Sequence, residues 1–313
     1  MNLFAAQINN WDEWSAACQN IGAWQPLIQH IFEQRNLAFS EITKLERATN
    51  AVYRVGDYVV KIFIPAGTFD GEFVADFNLE LHGMRFAAAQ GVPSPKLIAF
   101  GVLEDKYHFR YMIMEYIHGR LLGNVISDLS YEEKVIVGQK LRQITDRLNV
   151  QCSNFSPINM LENARKHPYW EEDGFPPSFQ AERETYLGSV SINEDDNVYC
   201  HGDLHGNNLL VDGEMNLYVL DFADAMYAPA EYEHVYIASS LFGFEQSYMR
   251  GYFGDYSVNE IVDWCMAWLP IHDHGHAAIQ DFWKADEITS FSVLRERLYE
   301  LIEAKAKFSR NNS

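Results

Sequence analysis

Few of the signals that place a chain in a membrane, a secretory route or a disulfide framework occur in this sequence. No run of about 18 apolar residues is present, the length a membrane span requires. The opening Met1-Asn-Leu-Phe-Ala-Ala-Gln-Ile-Asn-Asn10 has no basic flank ahead of an apolar stretch. Neither a span nor a signal peptide is expected, which leaves the cytoplasm as the default compartment. Cysteine is scarce: Cys18, Cys152, Cys200 and Cys265 lie far apart and form no Cys-x-x-Cys, so reduced thiols fit better than disulfides or a zinc site. Cys200 reads as a small core residue. Positive charge is short as well, with 24 Lys and Arg against 44 Asp and Glu and a formal charge of −20. That balance argues against a nucleic-acid backbone as partner and would steer a cationic small molecule toward the protein, although solubility alone also accounts for it. Repeats and low-complexity linkers are absent. With 313 residues, 48% of them hydrophobic, there is material for one large domain or two lobes.

The patterning that is present changes character along the chain. Pro26 to Gln34 carries Leu27, Ile28, Ile31 and Phe32 at helical spacing, with Pro26 placed for a first turn. Ala51 to Val55 and Tyr58 to Ile64 are apolar and β-branched around Gly56-Asp57, which predicts a hairpin with Lys61 in its second strand. Glu72 to Gln90 has helical periodicity and stops at Gly91, and Lys96 to Leu103 with His108 to Ile117 reads as a further strand pair. Beyond Gly119 the pattern is mostly helical to Lys307, interrupted by short hairpins and followed by a polar tail that should fray. The expectation is an α+β fold with two lobes: residues 1–118 an antiparallel sheet with a helix, residues 119–313 mostly helical.

Chemistry concentrates in His201-Gly202-Asp203-Leu204-His205-Gly206-Asn207-Asn208 and, after it, Leu220-Asp221-Phe222-Ala223-Asp224. A kinase catalytic loop has an Asp, an Asn five residues later that holds metal, and then an Asp-Phe-Gly whose Asp binds Mg²⁺. Asp203, Asn208 and Asp221 occupy those places. The apolar runs Asn208 to Val211 and Leu217 to Leu220, separated by Asp212-Gly213, predict a tight hairpin that sets the two ligands side by side. Amide and carboxylate oxygens are hard donors suited to Mg²⁺. Asp203 would orient the substrate hydroxyl. An alcohol has a pKa near 16 against about 4 for Asp, so proton acceptance should come late in the transfer. His201 would brace the loop, and Asp224 either joins the metal shell or caps the next turn.

His-Gly-Asp in place of His-Arg-Asp, with Asp-Phe-x-Asp in place of Asp-Phe-Gly, resembles the aminoglycoside phosphotransferase and choline kinase superfamily over about Thr43 to Leu241. The resemblance implies a protein-kinase-like fold and transfer of the γ-phosphoryl of ATP, with GTP as an alternative and Mg²⁺ as cofactor, to a small hydroxylated molecule. Lys61 then matches the strand lysine that meets the α- and β-phosphates, and Glu80 its carboxylate partner, with Glu72 the alternative. Leu45-Glu-Arg-Ala-Thr-Asn50 contains no glycine, a departure from the kinase glycine loop. Thr49 and Asn50 are the residues left there to bind phosphate, or else an ordinary polar turn. Tyr111 to Ile117 resembles the hinge, with Met114 behind the base and the backbone of Glu115 and Ile117 facing adenine. Glu233 resembles the acid that anchors the catalytic loop.

Few residues separate Asp221 from the helical Tyr232-Glu-His-Val-Tyr-Ile-Ala238, which leaves no room for a long phosphorylatable activation loop. Gly202 stands where the arginine that receives such a phosphate would be. A small-molecule kinase is therefore expected over a peptide kinase. Aminoglycosides lead the acceptor classes by resemblance. The rivals are a metabolic kinase for choline, homoserine, a methylthiosugar or a fructosamine, and a silent nucleotide-binding module. Glu171, Glu172 and Asp173, and likewise Glu194 to Asp196, read as solvated faces. Ile271-His-Asp-His-Gly-His276 crowds three imidazoles and a carboxylate without the spacing of a metal site.

Overall fold

The computed structural model describes residues 3–45, 49–68, 74–152 and 160–310. It divides into two compact units, the first comprising Met1–Ala89, Pro93–His118 and Asp221–Ala223, the second Gln90–Val92, Gly119–Leu220 and Asp224–Ser313. In the first, helices α1 (Trp11–Gln19) and α2 (Ile21–Gln34) precede strands β1 (Ile42–Lys44), β2 (Ala51–Val55) and β3 (Tyr58–Ile62), helix α3 (Val74–Ala89), and strands β4 (Leu97–Glu104) and β5 (His108–Glu115). The strands form one antiparallel sheet in the order β1-β2-β3-β5-β4. This is the antiparallel sheet with a helix expected of the first lobe.

Several boundaries differ from expectation: β3 stops at Ile62 and not Ile64, and β5 at Glu115 and not Ile117. Helix α2 begins at Ile21 because the Asn20 side chain accepts the Ala23 N–H and caps it there, and Pro26 lies inside the helix instead of opening it. The last helix runs to Arg310, beyond Lys307.

Lys61 sits in β3, the central strand, paired to Val52 on one side and Met112 on the other. It is therefore no solvent-facing edge residue. One face of this sheet carries Tyr53, Val55, Val60, Ile62, Phe109, Tyr111 and Ile113, all buried against Trp14, Trp24 and Phe32 of α1 and α2. Trp24 stands edge-on to Trp14 at 5.8 Å and to Phe109 at 5.5 Å. Burial of each such side chain contributes roughly 1.5–3 kcal/mol before ordering costs. That apolar pack leaves Lys61, one residue out of phase with Val60 and Ile62, on the opposite face. Helix α3 ends two residues before Gly91, whose φ of +66° is the left-handed conformation that stops helices.

The second unit opens with β6 (Gly119–Leu121) and then α4 (Tyr131–Leu148), α5 (Met160–Lys166), α6 (Tyr169–Glu172) and α7 (Pro177–Ser189). Strands β7 (Asn197–Cys200), β8 (Leu209–Asp212), β9 (Leu217–Val219) and β10 (Met226–Pro229) follow, and then helices α8 (Ala230–Tyr236), α9 (Gln246–Phe253), α10 (Val258–Trp268), α11 (Gly275–Gln280) and α12 (Phe291–Arg310). β8 and β9 form the expected hairpin, with Leu209 opposite Val219, and β6 adds to its other edge. β7 and β10 make a separate antiparallel pair that the helical reading of this region did not anticipate, because each strand is only four residues long. α8 passes directly into a π-helical turn, Ile237–Leu241. Among the described residues no helix is long and apolar enough to cross a membrane.

Candidate active site

The first unit gathers one buried charge cluster. Lys61 is 4% exposed and Glu80, on α3, 2%. Lys61 Nζ lies 3.1 Å from Glu80 Oε2 and 2.8 Å from Asp221 Oδ1. Glu80 Oε2 also accepts the Phe222 N–H at 2.9 Å. Burial pulls the ammonium of Lys61 down, and the two carboxylates, Asp221 foremost, outweigh it and hold Lys61 above its usual range. Burial likewise pushes the Glu80 carboxyl upward, against the pull of Lys61. Breaking such a pair from one side costs about 3–5 kcal/mol, since it strands a buried charge. Asp221 itself has φ +56°, a left-handed backbone that is strained for a residue with a side chain. Of the two carboxylates weighed as partners of Lys61, the structure pairs Glu80; Glu72 lies outside the described residues. Sequence reading missed Asp76, one turn before Glu80 on the same helix, whose carboxyl is raised by burial and feels both Lys61 and Asp221. Its i−4 spacing from Glu80 was the available signal.

Thr49 is exposed and its carbonyl accepts the Trp14 indole N–H at 2.8 Å. Asn50 is buried, and its side-chain oxygen accepts from the Ile64 N–H at 3.4 Å, which ties the loop to the strand. Residues 46–48, between Leu45 and Thr49, lie outside the described residues. Met114 is buried opposite Val59. The Glu115 and Tyr116 N–H groups donate to the carbonyls of Lys96 and Asp57, both at 2.9 Å, and Ile117 follows half-buried just beyond β5.

In the second unit the loop from His201 to Asn208 is pinned from several directions. His201 is fully buried; its Nε2–H donates to the Leu220 carbonyl at 2.8 Å and its Nδ1 accepts the Asp203 N–H at 3.3 Å. Those partners fix one tautomer and make the ring a brace. The His201 N–H donates to Glu233 Oε1 at 2.7 Å, and Asn149 Nδ2 donates to Glu233 Oε2 at 2.5 Å. Burial pushes the Glu233 carboxyl up to about 7 although N–H donors from Asn149, His201 and Gly202 favour its anion. Gly202 has φ +85°, and a Cβ there would lie 2.1 Å from the Asp224 carbonyl. No other residue fits, which gives the His-Gly-Asp spelling a steric cause.

Asp203 Oδ2 accepts from Asn208 Nδ2 at 2.9 Å, and the same nitrogen donates to the Asp203 carbonyl at 2.9 Å. Asn208 thereby spends its N–H groups inside the loop and has its oxygen left over. The Leu220 N–H donates to the Asn208 carbonyl at 2.9 Å, so the β8–β9 hairpin holds Asn208 beside the residue that precedes Asp221 in the chain. The Tyr236 hydroxyl, at the end of α8, is raised chiefly by burial and also faces Asp203 and Ser240. Imidazoles approach Asp203 on both oxygens: His205 Nε2 lies 3.5 Å from Oδ2 and His274 Nε2 3.9 Å from Oδ1. Among the described residues no group of three or more His, Cys, Asp or Glu could hold a metal ion.

A model of the phosphotransferase enzyme family matches residues 41–268. Among solved structures, the GDP and kanamycin complex of APH(2")-IIia superposes with a TM-score of 0.58 at 15% identity, covering 91% of this chain and 97% of that one. The GDP complex of wild-type aminoglycoside 2'-phosphotransferase-IIIa gives 0.55 at 16% identity, covering 92% and 98%. The choline kinase LicA from Streptococcus pneumoniae gives 0.53 at 14% identity, covering 88% and 98%. At these identities the likeness is one of fold. No curated protein matches the sequence significantly.

Proposed function

Because this chain belongs to the phosphotransferase enzyme family, a phosphotransferase acting on hydroxyl groups, we propose that it moves the γ-phosphoryl of a purine nucleoside triphosphate, ATP in the first instance, to a small molecule that bears amines. The observation that carries this reading is the Asp203 carboxylate, held on one oxygen by Asn208 inside a loop braced by His201 and Glu233. A loose transition state asks the protein for position and charge neutralisation more than for covalent chemistry. Asp203 aims the acceptor hydroxyl and takes its proton late. Lys61, kept cationic by Glu80 and Asp221, meets the nucleotide phosphates.

Asn208 and Asp221 each offer Mg²⁺ a hard oxygen, an amide in one and a carboxylate in the other, with no sulfur or imidazole. Held by such oxygens, the ion would neutralise phosphate charge. Thr49, Asn50, Met114, Glu115 and Ile117 frame the nucleotide in this reading, with Asn50 acting through the loop it ties down and not through direct contact. The formal charge of −20 favours a cationic acceptor over an anionic one, and aminoglycosides are the class to try first.

The test is release of nucleoside diphosphate from MgATP and MgGTP over a panel of aminoglycosides and hydroxylated amines, beside Asp203→Asn. Acceptor-dependent release that disappears in the variant supports the reading and names the class. Nucleotide binding without release to any acceptor would sink it in favour of a silent binding module.

A further inference from the structure

The segment Ile271 to His276 crowds three imidazoles and a carboxylate without the spacing of a metal site, and the structure gives it a different use. His272 is fully buried, its ring lying between those of Tyr232, at 4.1 Å and 20°, and Tyr236, at 4.6 Å and 16°. Its Nδ1 accepts the His274 N–H at 3.0 Å, and its carbonyl accepts the Gly275 N–H at 2.9 Å. The Asp273 N–H donates to the Tyr232 hydroxyl at 3.1 Å, and Asn163 Nδ2 donates to Asp273 Oδ2 at 2.7 Å. A Cβ on Gly275 would lie 1.9 Å from the Leu269 carbonyl, so the backbone is pressed against the end of α10. His276 is tied to Asp173, Nδ1 to Oδ2, at 2.5 Å.

The His272, Asp273 and His276 side chains each give a polar atom to holding the turn, while the His274 ring lies 5.6 Å from that of Tyr236. The His274 side chain is 35% exposed and directs Nε2 toward Asp203 Oδ1 at 3.9 Å. That distance is too long for a hydrogen bond. It matches the gap that one oxygen atom fills: an oxygen about 2.8 Å from both atoms subtends an angle of about 90° between them across 3.9 Å, which a hydroxyl that donates once and accepts once tolerates. The other carboxylate oxygen is already served, by Asn208 at 2.9 Å and with His205 3.5 Å away, and the Tyr236 hydroxyl also faces the carboxylate beside this position. His205 Nδ1 accepts the Asn207 N–H, which leaves the proton of that ring on the Nε2 facing Asp203.

We propose that His274 binds the acceptor hydroxyl together with Asp203: its Nε2–H donates to the acceptor oxygen while the hydroxyl hydrogen points at Asp203 Oδ1. This rests on the phosphotransfer reading above and adds a second ligand for the reacting oxygen. In the transfer, the acceptor oxygen forms a bond to the γ-phosphorus and the bond from that phosphorus to the β,γ-bridging oxygen breaks. The nucleoside diphosphate leaves with the electron pair, and the hydroxyl proton passes to Asp203. His274 keeps its proton throughout and fixes the direction of the attacking lone pair. The pair also selects chemistry. An ammonium group can donate to Asp203 but has no lone pair to accept from His274, so a molecule bearing both groups is held for transfer at oxygen.

Water is the smallest acceptor that can occupy this position, so the experiment needs no identified substrate. Diphosphate release from MgATP in buffer alone is measured for the full-length protein, His274→Ala, His274→Gln and Asp203→Asn, with MgATP binding measured in parallel. His274→Ala should lower kcat roughly 10- to 100-fold with KM for MgATP within about twofold, and Gln, which restores an N–H donor at similar reach, should recover most of that loss. His274→Ala turning over at the parent rate overturns the proposal. So does an equal loss in Ala and Gln accompanied by weaker MgATP binding, the pattern of a merely structural residue. Equal release by the parent and Asp203→Asn marks a different failure, that of the phosphotransfer reading itself, and takes the proposal with it.

Discussion

The two units solve the problem of placing a charged group in opposite ways. In the first, Lys61 is buried in the central strand of a sheet, and its charge is tolerated because two carboxylates, Glu80 and Asp221, meet it within 3.1 Å. In the second, Asp203 is met by hydrogen-bond donors: the Asn208 amide holds one oxygen, and the Tyr236 hydroxyl and two imidazoles face the carboxylate. The first arrangement binds charge with charge and so is woven into the stability of its unit. The second is a shaped polar socket on a braced loop, in which the brace, His201 with Glu233, is separate from the group that acts. Function and stability should therefore be inseparable at Lys61 and separable at Asp203.

The largest effect should come from Asp203→Asn. Loss of the proton acceptor should lower kcat by about three orders of magnitude, while stability, read by urea unfolding, shifts by less than about 0.5 kcal/mol because the amide keeps an oxygen for Asn208. A comparable fall in stability would erase the contrast between the units.

Lys61→Met should do the reverse in proportion. Glu80, 2% exposed, would be left buried beside Asp221 with no cation, and unfolding free energy should drop by roughly 3–4 kcal/mol together with nucleotide binding. Adding Glu80→Gln should return part of the stability and none of the binding. If the double variant is no more stable than the single one, the ion pair is not what holds this cluster.

Acid tests the second unit by itself. Burial lowers His234, in α8, to about 4, with Arg142 as a second cause, and lowers His167 to about 4 as well. A histidine whose folded value lies below its unfolded 6.5 contributes stability that is complete above pH 6.5 and is lost as pH falls toward 4. One such group accounts for at most roughly 3 kcal/mol over that window. Glu233, raised to about 7 by burial, acts with the opposite sign, its contribution declining as pH rises from about 4.5. The difference between the parent and His234→Gln removes that background. It should shrink steadily from pH 6.5 to pH 4, and a difference that stays flat would show that His234 is not held neutral.

Much of this was legible in residues alone, for a physical reason. Strand hairpins, the α3 periodicity and the catalytic spelling depend on neighbours within a few residues, so β2–β3 and β8–β9 follow from local pattern, and the kinase-like fold from the family resemblance that the spelling carries. The carboxylate opposite Lys61 was narrowed to Glu80 or Glu72, and only the packing of α3 on the sheet chooses Glu80. His274 was unreadable. Its meaning comes from Asp203, far earlier in the chain, and from a turn held by Tyr232, Tyr236 and Asn163, none of which shares a spacing with it. The imidazole crowding was visible and its spacing argued against a metal site, but nothing in the spacing pointed to Asp203. The β7–β10 pair was missed because four-residue strands carry too little pattern to stand out from a helical background.

The smallest expected effect isolates what the catalytic loop demands of its glycine. Gly91 and Gly202 both have positive φ, +66° and +85°, so alanine is strained at either. At Gly91 nothing lies within 4 Å of the added Cβ, whereas at Gly202 the Asp224 carbonyl lies 2.1 Å away. Gly202→Ala must therefore displace Asp224 or the loop itself and should cost more than 2 kcal/mol along with most of the activity. Gly91→Ala should cost about 1 kcal/mol, the backbone term alone, and leave diphosphate release unchanged. The difference between them measures how tightly the Asp224 backbone closes on the loop. Equal costs would mean that the loop yields to a methyl group, and the rigid socket inferred for Asp203 would have to be given up for one that assembles only around its ligands.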